Sequence, residues 1–426
     1  MVTLTDYEKA VLAGEYGRLR QAALENIVRY AEVLGAKELC KVTKAMVFCG
    51  KHVFLESCKA TDFDDVFSQM ELAVDERIVF DSIDPQCQVQ SDVSPCDQNV
   101  YEPLGQTREF FLENENYLKH CKDAGVTIIA SCAPYLNGWI PVRGEHFVTT
   151  ESSVTILGNS LWGACCNSDG IEAAFWSSIC GRTPKWGRHT PEGRIGTHRY
   201  HLDFKPDSIM EWDLAGKAIA DKLPQNAVPV ITGDFSELDF NKIRQFGTSL
   251  AVFSNCELFH LVGFTPESNT LEQAFHGNVP EEIQYIGRAD LDNAYNSVCA
   301  PGAGKIGLVS LGCPHYDIQQ IKEAANYLKG KTIHASVDFM IWTSYPIKYA
   351  AKVNGYEKII EDAGGRIYTS TCPTTIGAQM LDKYPGMLYD STKQCVSVTA
   401  SVDTPSYFAS MEDCIDAAVT GYWEGK

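Results

Sequence analysis

Three cysteines occupy equivalent positions, each just past a short apolar run rich in β-branched residues. The runs and the cysteines that follow them are 126–130 with Cys132, 306–310 with Cys313, and 366–369 with Cys372. A proline stands directly after two of these cysteines and one residue later after the third. Because ligands in open α/β sheets bind at the carboxyl ends of the strands, the three thiols are expected to converge at such an edge.

Three converging thiolates would suit an iron–sulfur cluster. Soft sulfur ligands favour iron, and a cluster held by only three of them keeps one iron free to bind a substrate oxygen, as a Lewis-acid hydro-lyase requires. No Cys-x-x-Cys pair occurs among the 16 cysteines, which disfavours a zinc ribbon or a thioredoxin-type motif. The alternative is that the three are small buried residues, the usual role of cysteine in a reducing compartment.

The elements that would position these residues follow an α/β rhythm. Thr5 and Glu8 form a capping box for a first helix, and apolar residues at helical spacing predict a second helix that Gly35 ends. Further strands are predicted at 126–130, 228–232, 306–310, 332–339 and 366–369, with helical segments between the later ones. The predicted fold class is therefore α/β with parallel layers, with soft internal boundaries near 206 and 331.

Composition excludes several classes of partner. The chain has 426 residues, and its 36 Lys plus Arg against 55 Asp plus Glu give a net charge of -19. Such a field opposes nucleic acid and acidic membranes. The sequence shows no secretory leader and no apolar stretch of about 20 residues, so we expect a cytoplasmic protein without a membrane span.

Nucleotide-dependent chemistry has weak support. Gly302-Ala-Gly-Lys305 lacks the earlier glycine and the following hydroxyl of a phosphate loop, and no Gly-x-Gly-x-x-Gly follows a predicted strand. A Rossmann-type oxidoreductase is therefore disfavoured.

The sequence resembles the aconitase X family, in its large or catalytic module, along almost the whole chain. The segments that carry the resemblance are Leu4-Thr5, Gly14-Glu15-Tyr16-Gly17, 131–135 (SCAPY), Gly144-Glu145-His146, Glu151-Ser152-Ser153, Gly158-Asn159-Ser160, 181–184 (GRTP), 258–267 (LFHLVGFTPE), 311–315 (LGCPH), 371–373 (TCP) and 410–421 (SMEDCIDAAVTG). The resemblance implies an aconitase-like architecture of several layers, with parallel or mixed sheets flanked by helices and an iron–sulfur cluster in the inter-domain cleft. It also places the cluster ligands on Cys132, Cys313 and Cys372.

Family members are similar in dehydrating cis-3-hydroxy-L-proline or, in archaeal relatives, mevalonate 5-phosphate. They occur as one long chain or as a large subunit with a separate small swivelling subunit. The resemblance therefore implies a heterodimer in which a small aconitase X-type subunit is encoded separately.

Dehydration needs a base for the carbon-bound proton and an acid or metal for the departing hydroxide. Ser152 and Ser153 are the expected catalytic residues, with His315 as a general acid/base alternative. Glu151 stands next to them in a motif that matches the family. The residues expected to bind substrate are Glu151, Asn159, Ser160, Asn167 and Lys44. The alternative is that these groups only start elements and satisfy backbone donors.

Departures from the family pattern concern the substrate. Where the family usually reads Gly-Ala-Arg-Thr-Asn-Arg-Glu-Gly, this chain has Gly163-Ala-Cys-Cys-Asn-Ser-Asp-Gly170, and Lys44-Ala-Met46 replaces Ser-Ala-His. Since arginine is the usual clamp for phosphate, we expect a small hydroxy acid nearer to cis-3-hydroxy-L-proline. The alternatives are a mevalonate 5-phosphate dehydratase large subunit, with Lys44 on the phosphate, and a catalytically degenerate α/β binding subunit.

Overall fold

The computed structural model describes residues 2–50, 78–376, 381–400 and 402–425. Cys58, one of the 16 cysteines, lies outside the described residues.

Helices and strands alternate along most of the chain. The helices are α1 Asp6–Leu12, α2 Arg18–Leu34, α3 Arg108–Asp123, α4 Ser152–Ser160, α5 Gly170–Cys180, α6 Ile209–Ala220, α7 Phe240–Ser254, α8 Leu271–Ala274, α9 Arg288–Val298, α10 Ile318–Leu328, α11 Tyr345–Val353, α12 Tyr356–Asp362, α13 Pro373–Ile376, α14 Thr392–Thr399 and α15 Met411–Thr420. The strands are β1 Leu39–Lys41, β2 Lys44–Val47, β3 Gln88–Ser91, β4 Phe147–Thr149, β5 Arg182–Pro184, β6 His198–Leu202, β7 Pro229–Thr232, β8 His260–Leu261, β9 Gln284–Ile286, β10 Gly304–Lys305, β11 Leu308–Tyr316, β12 Asp338–Thr343, β13 Arg366–Thr369, β14 Met387–Tyr389, β15 Ser406–Phe408 and β16 Tyr422–Trp423.

Parallel sheets form the layers of the molecule, as the sequence predicts. A three-stranded sheet has the order β3-β2-β4, a four-stranded sheet the order β8-β7-β6-β9, and a five-stranded sheet the order β13-β12-β11-β14-β15. Within these three sheets the paired strands are parallel. The pairs β1-β5 and β10-β16 are antiparallel.

The three parallel sheets share one hydrophobic core. Met46 from the first sheet, Tyr200 from the second and Trp342 from the third belong to the same buried cluster. A site between the sheets therefore has rigid walls, because close-packed interiors resist displacement of their elements.

The five-stranded sheet has a topological switch point beside β11. The chain proceeds from β11 through β12 to β13 on one side and then crosses to β14 and β15 on the other. In open parallel sheets the crevice at such a point, outside the carboxyl ends of the strands, is where ligands bind. Here the residues at that edge are those after β11 and β14.

The two predicted N-terminal helices are confirmed. Thr5 and Glu8 form a reciprocal capping box at the start of α1. Gly35 ends α2 in the left-handed conformation, with φ 72°, which glycine adopts without a Cβ penalty. Both signals are local in the chain, and they appear where the sequence places them.

The predicted strand at 126–130 is wrong. It contributes only an isolated bridge between Thr127 and Gln90. The backbone N–H groups of Ile129 and Ala130 do not pair with a neighbouring strand. They donate to the side-chain oxygen Ser91 Oγ, at 3.0 and 2.8 Å. Ala130 has φ 51°, which is incompatible with an extended strand. The segment nevertheless ends beside the carboxyl edge of β3.

The predicted strand at 332–339 is displaced toward the C-terminus. The observed strand, β12, begins at Asp338 and continues through the aromatic segment to Thr343. Phe339, Met340, Ile341 and Trp342 are all buried, which is typical of a parallel strand covered on both faces.

Among the described residues, no helix has the length and apolar character needed to cross a bilayer.

Helix α4 is packed tightly against β4, which makes Gly158 a test of the fold. A Cβ at Gly158 would lie 2.2 Å from Phe147 Cζ, whereas one at Gly287 would meet no atom within 4 Å. Gly158→Ala is expected to lower the free energy of unfolding by about 1–3 kcal/mol through overpacking. Urea denaturation would measure this change. Gly287→Ala is the control and should cost less; an equal or smaller loss at Gly158 would contradict the packing described.

Candidate functional site

The three cysteines predicted as ligands differ from most of the other cysteines in exposure. Of the fifteen described cysteines, eleven are buried, and the four that are half-buried are Cys132, Cys313, Cys372 and Cys299. The three predicted ligands therefore belong to the minority of cysteines that are not fully enclosed by the core.

Cys313 lies inside the central strand β11, two residues past Leu311, where the regular pairing with β12 is interrupted. The preceding Gly312 has φ 103°, and a Cβ there would lie 2.4 Å from the Trp342 carbonyl oxygen. Only glycine fits this turn, since the backbone must pass directly over β12. The register between β11 and β12 shifts between Leu311 and Tyr316, and the Cys313–Pro314 peptide bond is cis.

Cys372 and Cys132 reach the same edge from other segments. Cys372 follows the end of β13, where Ser370 has φ 69°. Cys132 precedes the 3₁₀ turn Pro134–Asn137 and belongs to the N-terminal part of the chain. The electrostatic neighbours of Cys313 include Cys372, and those of Cys132 include Cys313. Cys313 is therefore a neighbour of both other cysteines.

His315 joins the segments that carry the three cysteines. Its backbone N–H donates to Cys132 Sγ at 3.4 Å, and its ring nitrogens contact Ser131 Oγ at 3.0 Å and the Thr371 carbonyl oxygen at 3.1 Å. A carbonyl can only accept, so Nε2 carries the proton and Nδ1 accepts from Ser131. Burial lowers the pKa of His315 to about 4, which keeps the ring neutral. Both ring nitrogens are therefore engaged within the protein.

Burial raises the pKa of each of the three thiols, to about 12 for Cys313. Glu151 raises the pKa of Cys132 and Cys313 further, whereas the Lys393 ammonium opposes the rise at both. Without a cation these thiols stay protonated at neutral pH. A bound metal would remove their protons, since coordination favours thiolate over thiol.

A buried ion pair between Glu151 and Lys393 stands beside the thiols. Lys393 Nζ donates to Glu151 Oε1, and the two side chains are only 20% and 15% exposed respectively. Glu151 caps α4, accepting from the Ser153 backbone N–H at 3.3 Å and from Ser153 Oγ at 3.1 Å. Burial pushes the pKa of Glu151 upward, but Lys393 and the Ser153 hydrogen bonds hold it below its usual value. Glu151 is therefore a carboxylate at neutral pH.

Asp92 is a second carboxyl group next to this pair. It accepts from Thr150 Oγ1 at 2.8 Å, and burial together with the charge of Glu151 raises its pKa to about 7. A group poised near neutrality beside a site can exchange a proton there.

Two predicted serines lie on the first turn of α4. Ser153 is buried and bound to Glu151, whereas Ser152 is half-buried and opens the helix. Of the two hydroxyl groups, that of Ser152 is the more accessible.

Four other predicted residues are not brought to the thiols by any contact among the described residues. Asn159 and Ser160 lie at the far end of α4, about 12 Å along the helix from Glu151. The remaining two, Asn167 and Lys44, lie in other segments and have partners of their own.

The four side chains are engaged in internal contacts. Asn159 bonds the backbone of Cys166 in both directions, Ser160 Oγ accepts from the Phe259 N–H, and Asn167 Oδ1 accepts from the Arg188 N–H. Lys44 Nζ pairs with Glu145 Oε1 at 2.8 Å.

Sequence reasoning missed Lys393 and Asp92. Lys393 follows β14 by four residues, at the switch point next to β11. In the sequence, the polar residues Asp390 and Ser391 directly after a strand could have indicated a site at its carboxyl end. Only the strand order, with β14 next to β11, shows that this end lies beside Cys313. Asp92 directly follows β3 at the edge of another parallel sheet.

An α/β protein with three parallel sheets and three thiols at a sheet edge has the layout of an aconitase-like enzyme. The sequence matches the aconitase X first domain over residues 1–192, the second domain over 196–296 and the third domain over 306–420. The chain belongs to the aconitase X family.

Relatives with named activities are dehydratases. The chain is 26% identical to the phosphomevalonate dehydratase large subunit of Methanocaldococcus jannaschii, over 97% of this chain and 99% of that protein. It is 24% identical to the cis-3-hydroxy-L-proline dehydratase of Pseudomonas aeruginosa, over 98% of this chain and 70% of that protein. The crystal structure of Thermococcus kodakaraensis aconitase X in its holo form has the same fold, with a TM-score of 0.81 at 22% identity, covering 98% of this chain and all of that one.

Proposed function

We propose that this chain is the large, catalytic subunit of an iron–sulfur hydro-lyase that removes water from a small hydroxy acid, most like cis-3-hydroxy-L-proline. The observation that carries the proposal is the group of three half-buried thiols, contributed by three separate segments, next to the buried Lys393–Glu151 pair. Family membership supports it, since the named relatives are dehydratases.

The donor set fits an iron–sulfur cluster. Cys132, Cys313 and Cys372 would hold it, and three soft thiolates are ligands that such clusters use. A cluster with three protein ligands supplies a Lewis acid at its open iron, which activates a hydroxyl group as the leaving group.

Lys393 is assigned to the substrate carboxylate. The charge of its ammonium opposes the rise in the pKa of both Cys132 and Cys313. A hydroxy acid whose carboxylate is bound by Lys393 would therefore have its hydroxyl group close to these thiols. Before substrate binds, the Glu151 carboxylate neutralises the charge of Lys393, so the buried ammonium is not left without a counter-ion.

Ser152 is assigned to removal of the carbon-bound proton. It is the more accessible of the two serine hydroxyls on the first turn of α4, whereas Ser153 is held by Glu151. The positive end of the helix dipole and the nearby Lys393 both favour an anionic oxygen at this position. His315, with both ring nitrogens engaged, is assigned to holding the cysteine segments together.

A separate small subunit would complete the cleft. Several relatives are named as large subunits. Helix α11 starts at the carboxyl end of β12 and exposes Tyr345, Tyr349 and Val353 at a spacing of four residues. Ser344 Oγ donates to Asn137 Oδ1 at 2.9 Å, which ties the start of this helix to the turn after Cys132. This apolar stripe is the proposed contact for the small subunit.

The charges near the thiols favour a carboxylate over a phosphate. A phosphate carries almost two negative charges and usually requires arginine or several lysines. Of the described cations near Cys132 and Cys313, Lys393 is already matched by Glu151, and Arg244 donates to the His315 carbonyl oxygen and to Gln320 Oε1. Lys44 is paired with Glu145. Mevalonate 5-phosphate is the second candidate, because relatives that align over nearly their full length are named for it.

An assay of the iron-loaded chain with a small subunit from the same genome distinguishes the substrates. We expect faster water loss from cis-3-hydroxy-L-proline than from mevalonate 5-phosphate, and no activity from either protein alone. Lys44→Ala should change the ratio of the two kcat/KM values by less than about threefold, since that lysine is paired away from the thiols. Preference for mevalonate 5-phosphate, lost in Lys44→Ala, would contradict the assignment. No turnover of any hydroxy acid by the loaded pair would contradict the hydro-lyase proposal.

A further inference from the structure

We propose that Cys40, His146 and His189 form a second metal site that binds Zn²⁺, separate from the three thiols at the sheet edge. One ligand atom from each of the three residues can be chosen so that all three lie within 4.8 Å of one another. Thiolate and imidazole are the ligands that zinc prefers in proteins.

The three residues come from separate segments that the fold brings together. Cys40 is the middle residue of β1, opposite Thr183 in β5, and its thiol has only a weak contact, 3.7 Å to the Thr183 carbonyl oxygen. His146 immediately precedes β4, and His189 ends the 3₁₀ turn Gly187–His189. A bound ion would therefore join three elements that do not follow one another in the chain.

The rings of His146 and His189 are close enough to share a proton between two nitrogen atoms. His146 Nδ1 and His189 Nδ1 lie 2.9 Å apart. Without a metal, one ring must donate and the other accept. An ion bound through Nε2 of His189 would leave that proton in place, whereas one bound through Nδ1 would displace it.

His189 provides an independent observation. Its side chain is 3% exposed, and its Nε2 is buried without a hydrogen-bond partner. Buried polar nitrogens are normally hydrogen-bonded, so an unpaired one calls for an explanation. Coordination through Nε2 would supply the missing partner.

The surroundings tolerate a cation. The positive groups whose charges act on Cys40 and His146 are Lys185, Arg182 and Arg194, and each is matched by a carboxylate: Lys185 by Glu38, Arg182 by Glu8 and Arg194 by Glu267. A second thiol, Cys165, forms a β-bridge with His146 and offers another soft donor close by.

The site is distinct from the thiols assigned to the cluster. Cys165 Sγ lies 3.8 Å from Arg194 Nη1, and Arg194 bonds Asn159 at the far end of α4 from Glu151. Metal here would stabilise the packing of β1, β4 and the 3₁₀ turn, because an ion that binds only the folded arrangement adds its binding free energy to folding.

Cobalt binding tests the proposal in a chain whose Cys132, Cys313 and Cys372 are all serine, so that no cluster interferes. Titration with Co²⁺ should give one equivalent bound, with a thiolate-to-cobalt charge-transfer band that Zn²⁺ abolishes by displacement. Cys40→Ser should remove the band, and His189→Asn should weaken Co²⁺ binding by more than about tenfold. Cys166→Ser is the matched control and should keep the band, since its buried thiol contacts the Asn167 carbonyl oxygen instead.

Absence of the charge-transfer band, or its full retention in Cys40→Ser, would overturn the site. A second measurement covers variants that fold poorly: Zn²⁺ should raise the melting temperature of the unsubstituted chain, and His189→Asn should remove that rise while keeping its circular dichroism. An equal rise in the two proteins would also overturn the proposal.

Discussion

Replacing Cys132, Cys313 or Cys372 with serine, one at a time, is expected to abolish bound iron and visible absorption in the anaerobically purified protein. Each thiol is one of the three proposed ligands, and a serine hydroxyl is a hard donor that binds iron–sulfur clusters poorly. The expected loss of activity is correspondingly complete, because the cluster would supply the Lewis acid for the departing hydroxide. Iron analysis and the absorption spectrum measure the result directly.

Cys299→Ser is the matched control for these three variants. Cys299 is the fourth half-buried cysteine among the described residues, but its thiol lies 3.3 Å from Tyr295 Oη and accepts from the Phe408 backbone N–H of β15, two strands from β11. It should retain full iron. If any of the three ligand variants also retains full iron, that cysteine is not a ligand and the assignment of the cluster fails.

Lys393→Met is expected to lower the free energy of unfolding by about 3 kcal/mol and to abolish turnover while leaving the iron content unchanged. The substitution leaves Glu151 buried without its cation, and breaking one side of a buried pair is costly because the remaining charge is desolvated. Urea denaturation, iron analysis and the dehydratase assay measure the three outcomes separately. Lost iron would place Lys393 in the support of the cluster instead of the substrate.

The stability difference between Lys393→Met and the unsubstituted chain should depend on pH. In the unsubstituted chain the pKa of Glu151 is held below its unfolded value of about 4.3, so its contribution is present above that pH and is lost as the pH falls. In the variant, burial without Lys393 raises the pKa of Glu151, so stability is lost as the pH rises through the new value. The gap should therefore widen from about pH 4 toward neutrality.

Two further variants separate charge from specific geometry. Lys393→Arg keeps the cation and should keep most of the stability, with reduced turnover because the guanidinium is larger and planar. The double variant Glu151→Gln with Lys393→Met removes both charges and should be less destabilised than the sum of the single changes. Additive losses would show that the two groups do not interact in solution.

The alternation of elements and the three cysteine positions were within reach of the sequence because they are local patterns. A capping box spans four residues, and the apolar runs before Cys313-Pro314 and Cys372-Pro373 predicted strands that the structure contains as β11 and β13. The confirmed helices α1 and α2 depend on signals of this kind. The wrong strand at 126–130 shows the limit, since its donors are taken by Ser91, almost 40 residues earlier.

Strand order and long-range side-chain partners were decided by the tertiary structure alone. Lys393 reaches Glu151 across 242 residues of sequence, because β14 lies next to β11 in the five-stranded sheet. Asn159 belongs to the same motif-rich stretch as Glu151, yet it lies at the opposite end of α4, where its side chain bonds the Cys166 backbone. Residue types and spacing thus determined which groups could do chemistry. Which of these groups come into contact depends on how the sheets pack against each other. Contacts between residues hundreds of positions apart leave no periodic pattern in the sequence.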